Sequence, residues 1–205
     1  MTATAEIISI GDELLYGQTL DTNAHWISHK LDEYNIKVFQ RTTIGDDADQ
    51  ILNAFATAAE RVDIVLITGG LGPTKDDLTK PLLAKYFGVG MVHHEEVLRD
   101  ITLLFAKASR EVTALNAQQA ELPANCEKIT NPVGTAPGMW FYENNTVFVA
   151  MPGVPYEMKS IMTQGILPKL HEMFSKGVLH HHIIKTIGIT ESSLSDLIED
   201  WEVNL

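Results

Sequence analysis

Four short stretches of this 205-residue chain carry residue types that could do chemistry. The first is Gly11-Asp12-Glu13, followed by Gly17-Gln18 and then Asp21-Thr22-Asn23. Carboxylates gathered in this way can hold a divalent cation or orient a nucleophile, because Mg²⁺ prefers hard oxygen ligands. Taken singly, each residue also reads as a solvated turn acid or a helix cap. The second stretch is Thr68-Gly69-Gly70-Leu71-Gly72-Pro73-Thr74-Lys75-Asp76-Asp77-Leu78-Thr79. Glycines let the backbone approach an anion closely, and N–H groups ahead of a helix point at it. The stretch lacks the Gly-Lys-Ser/Thr ending of a Walker loop and is not a dinucleotide fingerprint. Asp76 and Asp77 add metal-binding or water-orienting chemistry to the backbone cradle, although acids also suit the start of a helix. The third and fourth stretches, Asn131 to Gly138 and Met151 to Met158, are turns stiffened by proline and glycine. Each would shape a pocket wall or simply turn the chain.

The elements that must position these loops follow from hydrophobic periodicity. Glu6 to Ile10 reads as a short buried strand, Ile36 to Thr43 as a second, and Val62 to Thr68 as a third covered on both faces. Between them lie a helix capped by Asp21 or Thr22, with Ala24, Ile27, Leu31 and Tyr34 at helical spacing, and a helix opened by Asp46 or Asp47. A further helix carrying Leu78, Leu82, Leu83 and Phe87 is stopped by Gly88. This alternation predicts a doubly wound α/β sheet, and loops at the carboxyl ends of its strands are where ligands bind. Further on, His94 to Ser109 is an amphipathic helix and a shorter helix runs from Thr113 to near Pro123. Met139–Tyr142 and Val147–Ala150 form an antiparallel hairpin around Glu143–Thr146, and Tyr156–Phe174 is a helix interrupted near Gly165 and Pro168. His182 to Ile189 is a last strand candidate, followed by a helix with Leu194, Leu197, Ile198 and Trp201. The expected division is one α/β domain over 1–170, with 171–205 the start of a further strand–helix segment that the chain cuts short.

Composition narrows the partners. With 15 Lys+Arg against 27 Asp+Glu the net charge is −12, which argues against nucleic acid or an anionic membrane as partner. A small phosphate-bearing ligand is still compatible with that charge if a cation accompanies it. The single cysteine, Cys126, gives no disulfide framework, and no secretory signal or membrane span is visible, so a cytoplasmic location is expected. His180-His181-His182 looks like a metal tract, but consecutive residues of an extended segment face alternate ways. Lys75, Lys80 and Arg41 are candidates to meet phosphate charge, with Arg41 reading better as a solvated strand residue.

Taken together, the four motifs resemble the amino-terminal domain of CinA proteins, which is similar to the MoaB/Mog-type molybdopterin-binding fold. The likeness runs from about Glu6 to Ile198. It implies a three-layer α/β/α domain with a mostly parallel sheet, a small β-hairpin excursion, and a homodimer or other homo-oligomer. It also implies a phosphate site at Gly69, Gly70, Gly72 and Thr74, with Asp12 and Asp77 as the catalytic carboxylates. In the Mog pattern a Gly-Gly-Thr-Gly run stands where this chain has Gly69-Gly70-Leu71-Gly72, so one hydroxyl is missing. The activity implied is hydrolysis of the diphosphate of ADP-ribose or a related nucleotide, helped by a divalent metal (Mg, Mn or Co) and by potassium. On that reading Asp12, Glu13 and Asp76 hold the metal, Asp77 orients the water, and Asp21 and Asn23 meet ribose hydroxyls or support the metal ligands. Asn131, Gly134, Thr135 and Gly153 complete the substrate pocket. The competing expectations are a pterin-phosphate binding module without hydrolysis, and a scaffold that assembles around a carboxyl-terminal amidohydrolase domain.

Overall fold

The computed structural model describes residues 2–74, 76–174 and 184–203. In chain order the elements are β1 (Thr4–Ile10), α1 (Asp12–Leu15), α2 (Thr22–Glu33), β2 (Lys37–Ile44), α3 (Ala48–Ala59), β3 (Ile64–Thr68) and α4 (Thr79–Tyr86). There follow β4 (Met91–His93), α5 (Glu95–Lys107), α6 (Ala114–Ala117), β5 (Glu121–Pro123), β6 (Glu127–Ile129), β7 (Gly138–Glu143) and β8 (Thr146–Met151). The last elements are α7 (Pro155–Ile161), α8 (Leu167–Phe174) and α9 (Glu191–Val203).

Six strands form one sheet in the order β2-β1-β3-β8-β7-β6, with β2, β1, β3 and β8 mutually parallel and β7 antiparallel to both neighbours. This is the expected doubly wound α/β sheet. The direction of winding changes between β1 and β3, and that crevice is where such sheets bind ligands. Strand alternation divides the core in two. Ala5, Ile7, Ile64, Leu66, Val147 and Val149 pack under α2, α7 and α8, while Ile8, Ile10, Val65, Ile67, Phe148 and Ala150 pack under α3 and α4. The aromatic centre of the second layer is Phe55, Tyr86, Phe87, Phe141 and Phe148, with the Phe87 and Phe141 rings stacked at 4.7 Å.

Where the chain departs from periodicity, the reasons are local. The β7–β8 hairpin forms and is built into the main sheet; the small separate sheet is instead β4 with β5, joined across α5 and α6. The Thr113 cap opens only Ala114–Ala117 and a 3-10 turn over Gln118–Ala120, because Glu121–Pro123 leaves the helix to pair with β4. The expected break near Gly165 is a π-helical turn over Met162–Ile166, and a Cβ at Gly165 would collide with Ile129. Ile184–Ile189 forms no strand: Ile187 is fully exposed and no neighbouring strand among the described residues receives it. His180, His181, His182 and Lys75 lie outside the described residues. Along α5 only Val97 and Ile101 of the apolar stripe are buried. Among the described residues no helix is long and apolar enough to cross a membrane.

Candidate functional site

The strands deliver their glycines to one edge. β1 and β2 end in the same tripeptide, Ile10-Gly11-Asp12 and Ile44-Gly45-Asp46, and the register pairs Ile10 with Ile44. The two aspartates therefore meet: the Asp12 N–H donates to Asp46 Oδ2 at 3.2 Å, and the Asp46 N–H donates to Asp12 Oδ1 at 3.3 Å. Burial pushes the Asp46 carboxyl above its ordinary range, and the negative charges of Asp12, Glu13 and Asp77 push the same way. Helix signals alone offer Asp46 only as a helix opener; the repeated Ile-Gly-Asp is the signal that marks it as part of the site.

The glycine-rich loop after β3 is held by its own side chains. Gly69 sits at φ +110°, where a Cβ would collide with the Ile10 carbonyl oxygen. The Thr79 hydroxyl donates to the Gly69 carbonyl at 2.9 Å, and a Cβ on Gly70 would displace that hydroxyl. Asp77 accepts from the Gly72 N–H at 2.7 Å, the Thr74 N–H at 2.9 Å and the Thr74 hydroxyl at 2.6 Å. Both carboxylate oxygens of Asp77 are thus engaged in shaping the loop. Lys80 turns away from the loop: its ammonium donates to the Gln118 carbonyl and to Gln119 Oε1, and burial lowers its pKa. Arg41 lies exposed on β2.

The third and fourth turns supply a wall. Asn131 donates from one amide nitrogen to the Ala136 carbonyl and to Glu157 Oε2, both at 2.8 Å, and accepts from the Val133 N–H. Asn131 therefore ties its turn to the start of α7. Gly153 packs against the Gly69 Cα, so the fourth turn abuts the glycine-rich loop. Carboxylates lie against glycines around this edge. Glu13 folds over Gly11, Asp12 over Gly45, Asp77 over Gly72 and Glu157 over Gly134, each in the space a Cβ would need.

The result is a cleft of about 480 Å³ reached by Gly69, Gly70, Gly72, Thr135 and Gly153, with Glu13, Asp46, Asp76, Asp77 and Glu157 around it. Asp12 stands behind this lining, bonded to Asp46, while Gly134 and Asn131 stand behind Thr135. Asp21 and Asn23 do not reach the cleft. They line a smaller adjoining cavity of about 100 Å³ that shares Ile10, Glu13 and Gly153 with it. Asp21 caps α2, accepting the Ala24 N–H at 2.8 Å. Two lining residues do not stand out in the sequence: Glu157, which reads only as part of a turn, and Gln119, buried and donating to the Leu71 carbonyl at 2.9 Å. Nothing in the residues around Gln119 marks it, because it reaches the site through a 3-10 turn far along the chain.

Among the described residues no three His, Cys, Asp or Glu are gathered into a ready ligand set, so Asp12, Glu13 and Asp76 do not form a closed metal site by themselves. The donor chemistry nonetheless suits a hard cation: oxygen ligands only, with like charges crowded around Asp46. Cys126 stands outside the lining of the cleft, and burial pushes its thiol up to about 11.

This geometry has counterparts in known proteins. A family model described as a probable molybdopterin binding domain matches residues 6–172. A CinA-like protein of Cytophaga hutchinsonii is 47% identical over 201 residues, covering 98% of this chain and 48% of that protein. One of Flavobacterium psychrophilum is 45% identical over 202 residues, again with 98% and 48% coverage. The chain therefore spans about half the length of the curated relatives it matches. The crystal structure of the protein CinA from Thermoplasma acidophilum superposes with a TM-score of 0.73 at 33% identity, covering 84% of this chain and 98% of that one. The molybdopterin biosynthesis enzyme MoaB from Thermus thermophilus superposes at 0.55 with 16% identity, covering 86% of this chain and 98% of that one, a likeness of fold.

Proposed function

Since the chain belongs to the CinA family, with a domain of the molybdopterin-binding type, we propose that its cleft hydrolyses the phosphoanhydride of ADP-ribose or a closely related nucleoside diphosphate compound. The observation that carries the reading is the meeting of a glycine cradle and a carboxylate wall in one cleft of about 480 Å³. Cleaving a diphosphate asks for charge neutralisation and positioning more than for covalent chemistry from the protein.

Within the loop from Gly69 to Thr74 the N–H groups of Gly70 and Leu71 would hold one phosphate, since those of Gly69, Gly72 and Thr74 already donate to the Met151 carbonyl and to Asp77. Asp77 keeps that cradle shaped through its three hydrogen bonds, and acts by positioning. Glu13, Asp46 and Asp76 face the same space without being gathered into a ligand set, so a divalent cation would be held by one or two of these carboxylates together with the substrate's phosphates. Such a cation, when bound, supplies charge neutralisation and lowers the pKa of water. Water oxygen bonds to phosphorus, the bridging P–O bond breaks, and AMP and ribose 5-phosphate result. Glu13 or Asp46 would receive the water's proton.

The test is direct. Purified protein is incubated with ADP-ribose, K⁺ and Mg²⁺, Mn²⁺ or Co²⁺, and products are separated by ion-exchange chromatography. AMP and ribose 5-phosphate in equal amounts are expected. Turnover no greater than that of Asp12→Ala and Asp77→Ala would remove the reading. The description of the matching family favours a second one, pterin-phosphate binding without hydrolysis. Saturable molybdopterin binding undisturbed by excess ADP-ribose would support it.

A further inference from the structure

Three consecutive carbonyls of the glycine-rich loop are tied back to protein donors. The Gly69 carbonyl accepts from the Thr79 hydroxyl at 2.9 Å, and the Gly70 carbonyl accepts from the Thr79 N–H at 3.1 Å. Both ties come from the first residue of α4, which follows the loop directly. The Leu71 carbonyl is held differently, accepting from Gln119 Nε2 at 2.9 Å, 48 residues further along the chain. Across a trans peptide the carbonyl and the next residue's N–H point opposite ways. Engaging the carbonyls of Gly69 and Gly70 therefore fixes the N–H groups of Gly70 and Leu71, the two that would meet a phosphate.

The third tie belongs to a longer chain of hydrogen bonds. Lys80, the second residue of α4, donates from its ammonium to Gln119 Oε1 at 3.3 Å and to the Gln118 carbonyl at 3.1 Å. An ammonium can only donate, so the Gln119 amide presents its oxygen to Lys80 and its nitrogen to the Leu71 carbonyl. At the other end of that peptide, the Gly72 N–H donates to Asp77 Oδ1 at 2.7 Å. Two amides thus lie head to tail between an ammonium and a carboxylate, an order in which each hydrogen bond polarises the next. Gln119 is 1% exposed, so removing its amide would leave the Leu71 carbonyl without its donor.

Resting on the phosphate cradle of the reading above, we infer that Gln119 and Lys80 are positioning residues for that cradle. Gln119 clamps the Leu71–Gly72 peptide from the side opposite Asp77, and Lys80 sets which way the Gln119 amide faces. The clamped peptide limits rotation at Leu71, whose N–H would meet the phosphate. Lys80 serves the cradle through Gln119 and not as a counter-charge.

The experiment measures binding of inorganic pyrophosphate with Mg²⁺ by titration calorimetry, with melting temperatures recorded alongside. The proteins are wild type, Gln119→Met, Lys80→Met, Lys80→Arg and the double variant Gln119→Met/Lys80→Met. Each single methionine variant is expected to weaken binding about tenfold, whereas Lys80→Arg, still a cationic donor, stays within about threefold. The double variant should bind no more weakly than Gln119→Met, because Lys80 then has nothing to orient. If Lys80→Met keeps its full effect in the Gln119→Met background, Lys80 meets the phosphate directly and the relay is overturned. Unchanged binding in Gln119→Met overturns it as well, including the case where melting temperature falls and affinity does not, which marks a purely structural bond. If Gln119→Met does not fold, Gln119→Glu takes its place: it keeps an acceptor for Lys80, loses the donor to Leu71, and must weaken binding by as much. Wild type that fails to bind pyrophosphate removes the cradle and the relay together. The expected pattern with no AMP formed from ADP-ribose removes the hydrolase reading and leaves the relay standing.

Discussion

At the scale of single residues, the carboxylates divide by what already occupies them. Asp77 commits both oxygens to Gly72 and Thr74, whereas Glu13 and Asp46 face the cleft. Asp77→Ala should therefore open the loop, lowering stability by about 1–3 kcal/mol and weakening pyrophosphate binding more than about tenfold. Urea unfolding and calorimetry check the two effects, and Thr74→Val should show a smaller version of both. Cys126 gives a pH prediction. Its thiol is held neutral by burial up to about 11, against 9 in the open chain, so between those values the folded state binds the extra proton. The contribution is complete below pH 9 and is lost as the pH rises through 11. Cys126→Ala should flatten the alkaline fall in stability relative to wild type, and thiol labelling of native protein should accelerate near 11 and not near 9. Residue chemistry is legible where type and local spacing coincide, as in the glycine-rich loop. Asp46 is legible only through the repeated Ile-Gly-Asp and the strand register that brings the two copies together, and Glu157 is not legible as a site residue, because its place depends on a turn that folds back.

At the scale of elements, the glycines decide what the loops can be. Gly69 combines φ +110° with a seat against the Ile10 carbonyl, so Gly69→Ala should lose at least about 2 kcal/mol. Gly90, with open space around it and no left-handed backbone, is the control and should lose well under about 1 kcal/mol on the same substitution. Chemical denaturation of both variants checks the contrast. The strands and helices of the first ninety residues are readable because β1 and β3 are short, mainly apolar runs buried on both faces, while α2 and α3 each bury one face at helical spacing. The β4–β5 pair is not, since three-residue strands separated by two helices have no periodicity to read. Ile184–Ile189 misleads for a different reason: β-branched composition gives a propensity, and only a neighbouring ladder makes it a strand.

At the scale of the whole molecule, the net charge of −12 has a local centre at the cleft. A cation that binds only the folded state raises its stability by mass action. Millimolar Mn²⁺ or Mg²⁺ should raise the melting temperature of the wild type, and the increment should shrink in Asp46→Asn and Glu13→Gln; differential scanning fluorimetry measures it. The proposed homo-oligomer is tested by light scattering at micromolar protein, where a monomer mass would remove it. The cleft rim is also built of interlocked pairs. Four acids rest where four glycines leave room, Glu13 on Gly11, Asp12 on Gly45, Asp77 on Gly72 and Glu157 on Gly134. Each pair is a plug and socket, so neither member can drift alone: a methyl in the socket evicts the plug, and a vacated socket invites the loop to collapse. Mutational libraries built on this domain should vary the two codons of a pair together, and single-site scans will record the glycines as intolerant for reasons that belong to their acids.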